Sequence, residues 1–126
     1  MQIERRARGA LDWRALPDLL EPAMIKVSVL YPNSPGAKFD MNYYVTHHMP
    51  MVRERCAPAC RSIAAEGGLG GAEPGSNAPY IAAGHLTFDS VEAFQKAFGP
   101  HAPEILADIP NYTNTQPVIQ IAQITL

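Results

Sequence analysis

The order of its apolar segments constrains this chain more than any other feature of the sequence. After residue 23, four segments have the apolar patterns of β-strands, and two segments between them have helical spacing. The strand-like segments are MIKVSVLY, CRSIAAE, YIAAGHLTF and PVIQIAQITL. The resulting order, β-α-β-β-α-β, is the split βαβ or ferredoxin-like pattern. We therefore predict an α+β fold in which a four-stranded antiparallel sheet carries two helices on one face.

Local signals place the two helices and the longest connection. Asp40 suits the N-cap of the first helix, and Asp89 with Glu92 resembles a capping box before the second. Gly99 and Pro100 end the second helix, and PEILADIP predicts a further short helical turn. The segment GGLGGAEPGSNAP is too rich in glycine and proline for a helix or strand, so we predict a loop there.

The last strand is apolar on both faces, which leaves one face of the predicted sheet without cover. One side of this strand carries Ile119 and Ile121, and the other carries Val118, Ala122, Ile124 and Leu126. The helices cover only one face of the sheet, and monomeric proteins rarely expose large apolar patches to water. We therefore predict a homodimer in which a second subunit packs sheet against sheet.

Residues 1–23 differ from the rest and are interpreted as an N-terminal extension of one domain over residues 24–126. Trp13, Leu16 and Leu20 share a short helical stripe, but two prolines interrupt it. The extension is either a poorly anchored tail or an arm that packs on a partner subunit. It lacks the apolar core of a secretory signal, and no apolar run approaches the roughly 20 residues that span a bilayer. We predict a cytoplasmic protein without a membrane partner.

Charge and cysteine content exclude several classes of function. The formal net charge is −2, which attracts neither nucleic acid nor an anionic membrane. Cys56 and Cys60 have no further ligands nearby in sequence, so we interpret them as small hydrophobic residues and not as a disulfide or metal site. No glycine-rich loop lies between a strand and a helix with the lysine or acid that nucleotide binding requires. We therefore predict no metal and no cofactor.

The first helix carries the candidate chemistry, within FDMNYYVTHHMPM. At about 100° per residue, its predicted buried stripe consists of Met41, Tyr44, Val45, His48 and Val52. Pro50 favours a kink beside His48. One interpretation of His48 is a core histidine bonded to a backbone carbonyl or a tyrosine hydroxyl. The other is a general base or acid in a pocket between helix and sheet, with Tyr44 donating a hydrogen bond to a carbonyl or enolate oxygen.

The third strand adds a second histidine. Ala82, Ala83 and Gly84 leave space on both faces of this strand, which fits either a cavity or close sheet contact at a dimer interface. His85 is therefore a candidate second catalytic group. Haem ligation by either histidine is an alternative that nothing else in the sequence favours. We predict an apolar ligand pocket lined by Tyr31, Phe39, Phe94 and Phe98.

Four separated stretches together resemble the EthD family. The aromatic helix has the phenylalanine, paired tyrosines and His-x-Pro of that family's motif, here Phe39, Tyr43, Tyr44, His48 and Pro50. The other stretches are MIKVSVLYP, HLTFDSVEAF and ADIPNYTNTQPVIQI, so the resemblance spans about residues 24 to 126. It implies a dimeric α/β barrel and places the family's histidine at His48. The family is named after bacterial degradation of ethyl tert-butyl ether, and relatives on this architecture include cofactor-free cyclases, lactone isomerases and small monooxygenases.

Three functions are compatible with these patterns. The first is a cofactor-independent isomerase, cyclase or dehydratase that moves a proton on a small hydrophobic carbonyl compound, in the degradation of ethers or other xenobiotics. The second is a non-catalytic protein that binds a small hydrophobic ligand. The third is an accessory subunit of an oxidative degradation pathway. A cysteine nucleophile is disfavoured, because both cysteines lie more than a helical turn beyond His48.

Overall fold

The computed structural model describes residues 24–126. The predicted N-terminal extension and its apolar stripe lie outside the described residues. The described chain contains the strands β1 (Ile25–Pro32), β2 (Ser62–Gly67), β3 (Tyr80–Phe88) and β4 (Val118–Gln123). A long first helix, α1, separates β1 from β2, and two shorter helices, α2 and α3, lie between β3 and β4. None of these helices is long and apolar enough to cross a bilayer.

The four strands form one antiparallel sheet in the order β2-β3-β1-β4. β1 and β3 are therefore central, and β2 and β4 form the edges. Alternating apolar residues place β1 and β3 at the centre, where both neighbours satisfy their backbone hydrogen bonds. The element order and the sheet confirm the predicted α+β, ferredoxin-like fold class.

The strand register separates two faces of the sheet. Val27 lies opposite Leu86, and both side chains are buried on the face that packs against the helices, which we call the helix face. Ser28 lies opposite His85 and Gln120, and these three side chains point to the other side, which we call the outer face. The helices of residues 24–126 leave the outer face uncovered, so the predicted homodimer retains its motivation but stays a prediction.

Helix α1 spans residues 41–56 and begins as the sequence predicts. The Asp40 side chain accepts a hydrogen bond from the Tyr43 amide at 3.0 Å, which makes it the N-cap. After one short α-helical stretch, Tyr44–His48 is π-helical, and Met49–Cys56 is α-helical again. The wide turn ends two residues before Pro50, whose missing N–H prevents a regular helical bond at that point.

The π-helical turn changes which residues of α1 face the sheet. The buried residues of the helix are Tyr44, His48, Met49, Val52 and Cys56. Val45 was predicted in this stripe but is 44% exposed, so that prediction is wrong. The reason is that a π-helical turn holds an additional residue, and the regular spacing of 100° does not continue across it.

Helix α2 (Val91–Phe98) begins one residue later than its predicted cap. Ser90 Oγ accepts a hydrogen bond from the Ala93 amide at 3.0 Å and is the N-cap. Asp89 instead forms an ion pair with Arg61 at 2.7 Å. The predicted capping box is therefore wrong, because Asp89, which directly follows β3, pairs instead with Arg61, which directly precedes β2.

The chain after α2 stays helical. A 3₁₀ turn over Gly99–His101 leads directly into α3 (Ala102–Ala107), and a second 3₁₀ turn follows at Ile109–Asn111. The α-helix itself therefore ends at Phe98, before Gly99 and Pro100, as predicted, and the chain continues as a 3₁₀ turn. The predicted short helical turn is confirmed as α3. This run of turns brings the residues after α3 back against α1.

An aromatic cluster joins α1 to the sheet. Its four rings belong to Tyr31, Phe39, Tyr44 and Tyr112, with centroid separations between 4.9 and 5.9 Å. Most of these pairs meet edge to face, a favourable arrangement for aromatic side chains. The cluster fixes the position of the π-helical turn above the centre of the helix face.

Candidate active site

His48 is buried against the segment that follows α3. Only 4% of the residue is exposed, and its Nδ1 lies 2.9 Å from Asp108 Oδ2. The π-helical turn of α1 points the ring inwards, and the 3₁₀ turn after α3 brings the carboxylate to it. A buried imidazole beside a carboxylate is an arrangement that orients a base and can stabilise its protonated form.

Asp108 is held as a carboxylate by two further donors. The Tyr43 hydroxyl donates to Oδ1 at 2.7 Å, and the Asn111 amide donates to the same oxygen at 2.9 Å. Partial desolvation raises the pKa of Asp108, but hydrogen bonds from Tyr43, Asn111 and His48 outweigh it and lower the pKa below its ordinary value. Asp108 is therefore ionised at neutral pH and can accept the Nδ1 proton.

His48 is neutral at neutral pH and has a defined tautomer. Burial lowers its pKa below the ordinary value of 6.5, although the hydrogen bond to Asp108 opposes this shift. Because the carboxylate only accepts, the single ring proton lies on Nδ1. Nε2 is then unprotonated and available as a base.

A chain of hydroxyl groups continues from Nε2. The Tyr112 hydroxyl lies 3.3 Å from His48 Nε2, and the Tyr31 hydroxyl lies 2.7 Å from that of Tyr112. The contact between Tyr112 and His48 Nε2 is long for a hydrogen bond, so it is the weakest interaction in this series. A bound compound can therefore replace Tyr112 at this nitrogen at low cost.

An apolar cavity borders His48 between α1, α3 and the helix face. Its volume is about 50 Å³, smaller than the cavity of about 150 Å³ that holds benzene in an engineered protein. Tyr31, Tyr44 and Phe98 line it, together with Val52, Gly84 and Ile105. None of the described residues that line it is an aspartate, glutamate, lysine or arginine. The cavity therefore suits a neutral compound of a few heavy atoms.

The predicted pocket residues divide into two groups. Tyr31 and Phe98 line the cavity, as does Tyr44. Phe39 lies behind the residues that line the cavity. Its ring centroid is 4.9 Å from the ring centroids of Tyr31 and Tyr44. Phe94 packs between Phe88 and Phe98 and does not line the cavity. The structure thus brings Tyr31, Tyr44, His48 and Phe98 together and leaves Phe39 and Phe94 as supports of the wall.

Tyr44 depends on the glycine beneath it. A Cβ atom at Gly84 would overlap the Tyr44 hydroxyl, so this close approach of helix to sheet requires glycine. The ring also stacks on His48 with centroids 5.5 Å apart. Burial, together with the neighbouring Tyr31 hydroxyl, raises the pKa of Tyr44, so its hydroxyl stays protonated and can act as a donor.

His85 lies away from this site. It belongs to the outer face, where its Nδ1 is 2.8 Å from Ser28 Oγ and its Nε2 is 2.7 Å from Glu66 Oε1. The sheet separates it from His48, because their side chains lie on opposite faces. The structure therefore does not bring the predicted second catalytic group together with the first.

Sequence reasoning missed the partners of His48. Asp108, Tyr112, Tyr43 and Asn111 hold the network together, yet none was predicted as a site residue. Three of them lie in ADIPNYTNTQPVIQI, one of the stretches that carries the family resemblance, and this was the available signal. Their role could not be derived from spacing, because His48 and Asp108 are separated by 60 residues.

The two cysteines do not contribute a nucleophile. Burial raises the pKa of the Cys56 thiol to about 11 and also raises that of Cys60. Both are free thiols. A thiol in this state is a poor nucleophile at neutral pH, since the thiolate is the reactive form. Within residues 24–126, no group of three or more His, Cys, Asp or Glu side chains is placed to hold a metal ion.

Two solved structures of low sequence identity share the fold of this chain. A hydroxynitrile lyase from Passiflora edulis is 17% identical, with 82% of this chain and 95% of that chain covered and a TM-score of 0.59. A protein of the ethyl tert-butyl ether (EthD) family from Bacillus halodurans C-125 is also 17% identical, with 81% of this chain and 99% of that chain covered and a TM-score of 0.57. No match was found among curated proteins.

Sequence comparison identifies the family. The EthD domain matches residues 37–116, which include His48, Asp108 and Tyr112. An EthD-like protein from Ralstonia eutropha JMP134, known from its crystal structure, is 43% identical to this chain. The match covers 82% of this chain and 94% of that chain, with a TM-score of 0.80. The chain therefore belongs to the EthD family.

Proposed function

We propose that this protein is a cofactor-independent enzyme that moves a proton on a small, neutral, mostly apolar carbonyl compound. The reaction class is isomerisation, cyclisation or dehydration. The observation that carries the proposal is the Asp108–His48 pair at the border of an apolar cavity. A base of this kind, neutral at pH 7 and shielded from water, is suited to proton abstraction next to a carbonyl group.

Each residue of the site has one role in this chemistry. His48 Nε2 takes a proton from the carbon next to the carbonyl, and the electron pair of that C–H bond moves towards the carbonyl oxygen. Tyr44 donates a hydrogen bond to the resulting enolate oxygen. Asp108 keeps the ring in the correct tautomer and stabilises its cationic form. The proton on Nε2 then passes to a second atom of the compound.

We further propose that the working unit is a homodimer in the cytoplasm. A second subunit on the outer face would cover apolar side chains such as Val118 and Ile124, which are 51% and 39% exposed. Free cysteines are typical of a reducing compartment. The Bacillus halodurans relative is named after ethyl tert-butyl ether, which makes the degradation of ethers or similar xenobiotics a setting to examine.

The proposal is tested by proton exchange on butanone, a small neutral ketone. Deuterium uptake at the carbons next to its carbonyl is followed by NMR in D₂O. We expect wild-type protein to accelerate uptake and His48→Gln to abolish this effect, since glutamine retains polarity but cannot take a proton. His101→Gln is the matched control, because His101 lies in the 3₁₀ turn and lines no part of the cavity. Undiminished uptake with His48→Gln would refute the proposal.

A binding protein is the second candidate, and the apolar lining of the cavity favours it. In that case His48 is a structural core residue, and affinity depends on the lining alone. Butanone affinity that is unchanged between about pH 5 and 8, without deuterium uptake, would select this function. The presence of a cavity beside His48 supports both candidates over an accessory subunit without a ligand.

A further inference from the structure

Asp108 lies between two separate pockets. On its inner side, His48 borders the apolar cavity. Its outer side opens into a polar pocket of about 320 Å³, which we call the outer groove. Besides Asp108, the outer groove is lined by Tyr43, His47, Met51, Glu104, Ala107 and Asn111. Asp108 thus lines the groove and also forms a hydrogen bond with His48.

The buried network has one polar connection to the surface within residues 24–126. The side-chain hydrogen bonds of His48, Tyr112 and Tyr31 lead to one another and to Asp108. These three residues are between 1% and 4% exposed, whereas the Asp108 side chain is 16% exposed. Its Oδ1 bonds Tyr43 and Asn111, which both border the groove. Solvent in the groove therefore has access to the carboxylate that bonds His48.

A compound in the inner cavity removes the other route for protons. The cavity is small and apolar, so a bound molecule displaces the water from it. Within the part of the chain that the structure describes, a proton at Nδ1 can then reach solvent only through Asp108. We propose that Asp108 and the outer groove form a proton-exchange port, through which His48 exchanges protons with water while the cavity is occupied. The catalytic role of this port rests on the proposed function, whereas the route from His48 to the groove does not depend on it.

The port acts on the nitrogen that does not touch the substrate. After Nε2 has taken the C–H proton, the ring carries a proton on each nitrogen. The Nδ1 proton passes to Asp108 Oδ2 and from there to a water molecule in the groove, which becomes hydronium. The ring is again neutral, with its proton on Nε2. When Nε2 gives that proton to the second atom of the substrate, a proton returns from the groove to Nδ1 through Asp108, and the starting tautomer is restored.

Two neighbouring residues allow a matched test. Ala107 lines the outer groove and Leu106 lines the cavity, and both are exposed at the end of α3, where larger side chains are tolerated. Ala107→Leu fills the groove, whereas Leu106→Phe narrows the cavity. Met51→Phe fills the same groove from α1. This second variant keeps the test valid if Ala107→Leu disturbs the local fold.

The measurement is the rate at which the proton on His48 Nδ1 exchanges with water, by NMR of the full chain labelled with ¹⁵N-histidine. We expect both groove variants to slow this exchange about tenfold, because they exclude water from the carboxylate. Leu106→Phe, or butanone in the cavity, leaves the rate within about twofold. The inference is overturned if the groove variants exchange at the wild-type rate, or if butanone or Leu106→Phe slows exchange equally. Because exchange is also measured without butanone, failure of the proposed function does not affect this result.

Discussion

At the scale of single residues, the carboxylate of Asp108 determines what His48 can do. A neutral imidazole whose Nδ1–H is held by an ionised acceptor presents Nε2 as a base, and the acceptor stabilises the cation that forms. Burial alone would only lower the basicity of the ring. The opposing effects of burial and of Asp108 on the pKa of His48 keep the ring neutral yet able to take a proton.

Replacement of Asp108 tests this division of roles. Asp108→Asn keeps the size of the side chain but removes its charge, so butanone exchange should fall about a hundredfold. Since Asp108 raises the pKa of His48, the acid limb of the pH–rate profile should also move to lower pH in the variant. NMR assays of exchange between pH 4 and 8 give both quantities. His101→Gln, which leaves the network around Asp108 intact, is the control. A slower variant with an unshifted acid limb would assign Asp108 a purely structural role.

The same pKa shift predicts how stability depends on pH. The pKa of His48 in the folded protein lies below its ordinary value of 6.5, so the unfolded chain binds this proton more readily. The contribution of His48 to stability is therefore complete above about pH 6.5 and is lost as the pH falls through the lower, folded value. Thermal unfolding of wild-type protein should show a larger loss of Tm between pH 7.5 and pH 5 than His48→Gln does. Equal losses in both proteins would contradict the lowered pKa.

At the scale of elements, the approach of α1 to β3 places the candidate catalytic residues. Gly84 allows the Tyr44 ring to lie directly on the strand, and the π-helical turn sets Tyr44 and His48 one above the other. The segment after α3 then closes the network from the other side. The site is thus built from one helix, one glycine in a strand and one turn.

Gly84→Ala tests the contact between helix and strand. The added methyl group meets the hydroxyl end of a rigid, buried ring, so we expect a loss of about 1–3 kcal/mol in the free energy of unfolding. Gly67→Ala on β2 is the matched control, because its methyl group would meet only the flexible end of Met41, at 3.5 Å. Chemical denaturation measures both. Equal losses of stability in the two variants would contradict a close contact between Gly84 and the Tyr44 ring.

The sequence predicts the elements better than the site. Strand periodicity and the Asp40 cap are local properties, and both were predictable from neighbouring residues. The cap at Ser90 was missed, since the choice between two adjacent polar residues depends on Arg61, which lies just before β2 and far away in sequence. Val45 was misplaced because helical spacing assumes a regular helix. Asp108 was missed because its contact with His48 depends on the packing of α1 against the turn after α3.

At the scale of the whole molecule, the two sheet faces have different tasks. The helix face contains the cavity and the network, whereas the outer face carries His85 with its partners Ser28 and Glu66. A subunit packed on the outer face would enclose this polar row without reaching His48. We therefore expect His85 to affect association of subunits more than proton transfer.

The predicted homodimer is tested by two single substitutions that introduce a charge, one on the outer face and one on a helix. Val118→Lys places a charge on the outer face, and Val91→Lys places the same charge on α2. Both valines are similarly exposed, at 51% and 41%. Native mass spectrometry should show a dimer for wild type and Val91→Lys, and a monomer for Val118→Lys. A wild-type monomer, or a dimer that tolerates the charge at Val118, would rule out packing through this face.

The π-helical turn at Tyr44–His48 also makes the site sensitive to chain length. A turn of this type contains one residue more than the α-helical turn it replaces. Deletion of a single codon there would allow a regular helix to form, and the residues before and after the turn would keep their orientation, because only the additional residue is lost. A gene in this lineage can therefore gain or lose this wide turn through one in-frame insertion or deletion, while Val52 and Cys56 continue to face the sheet.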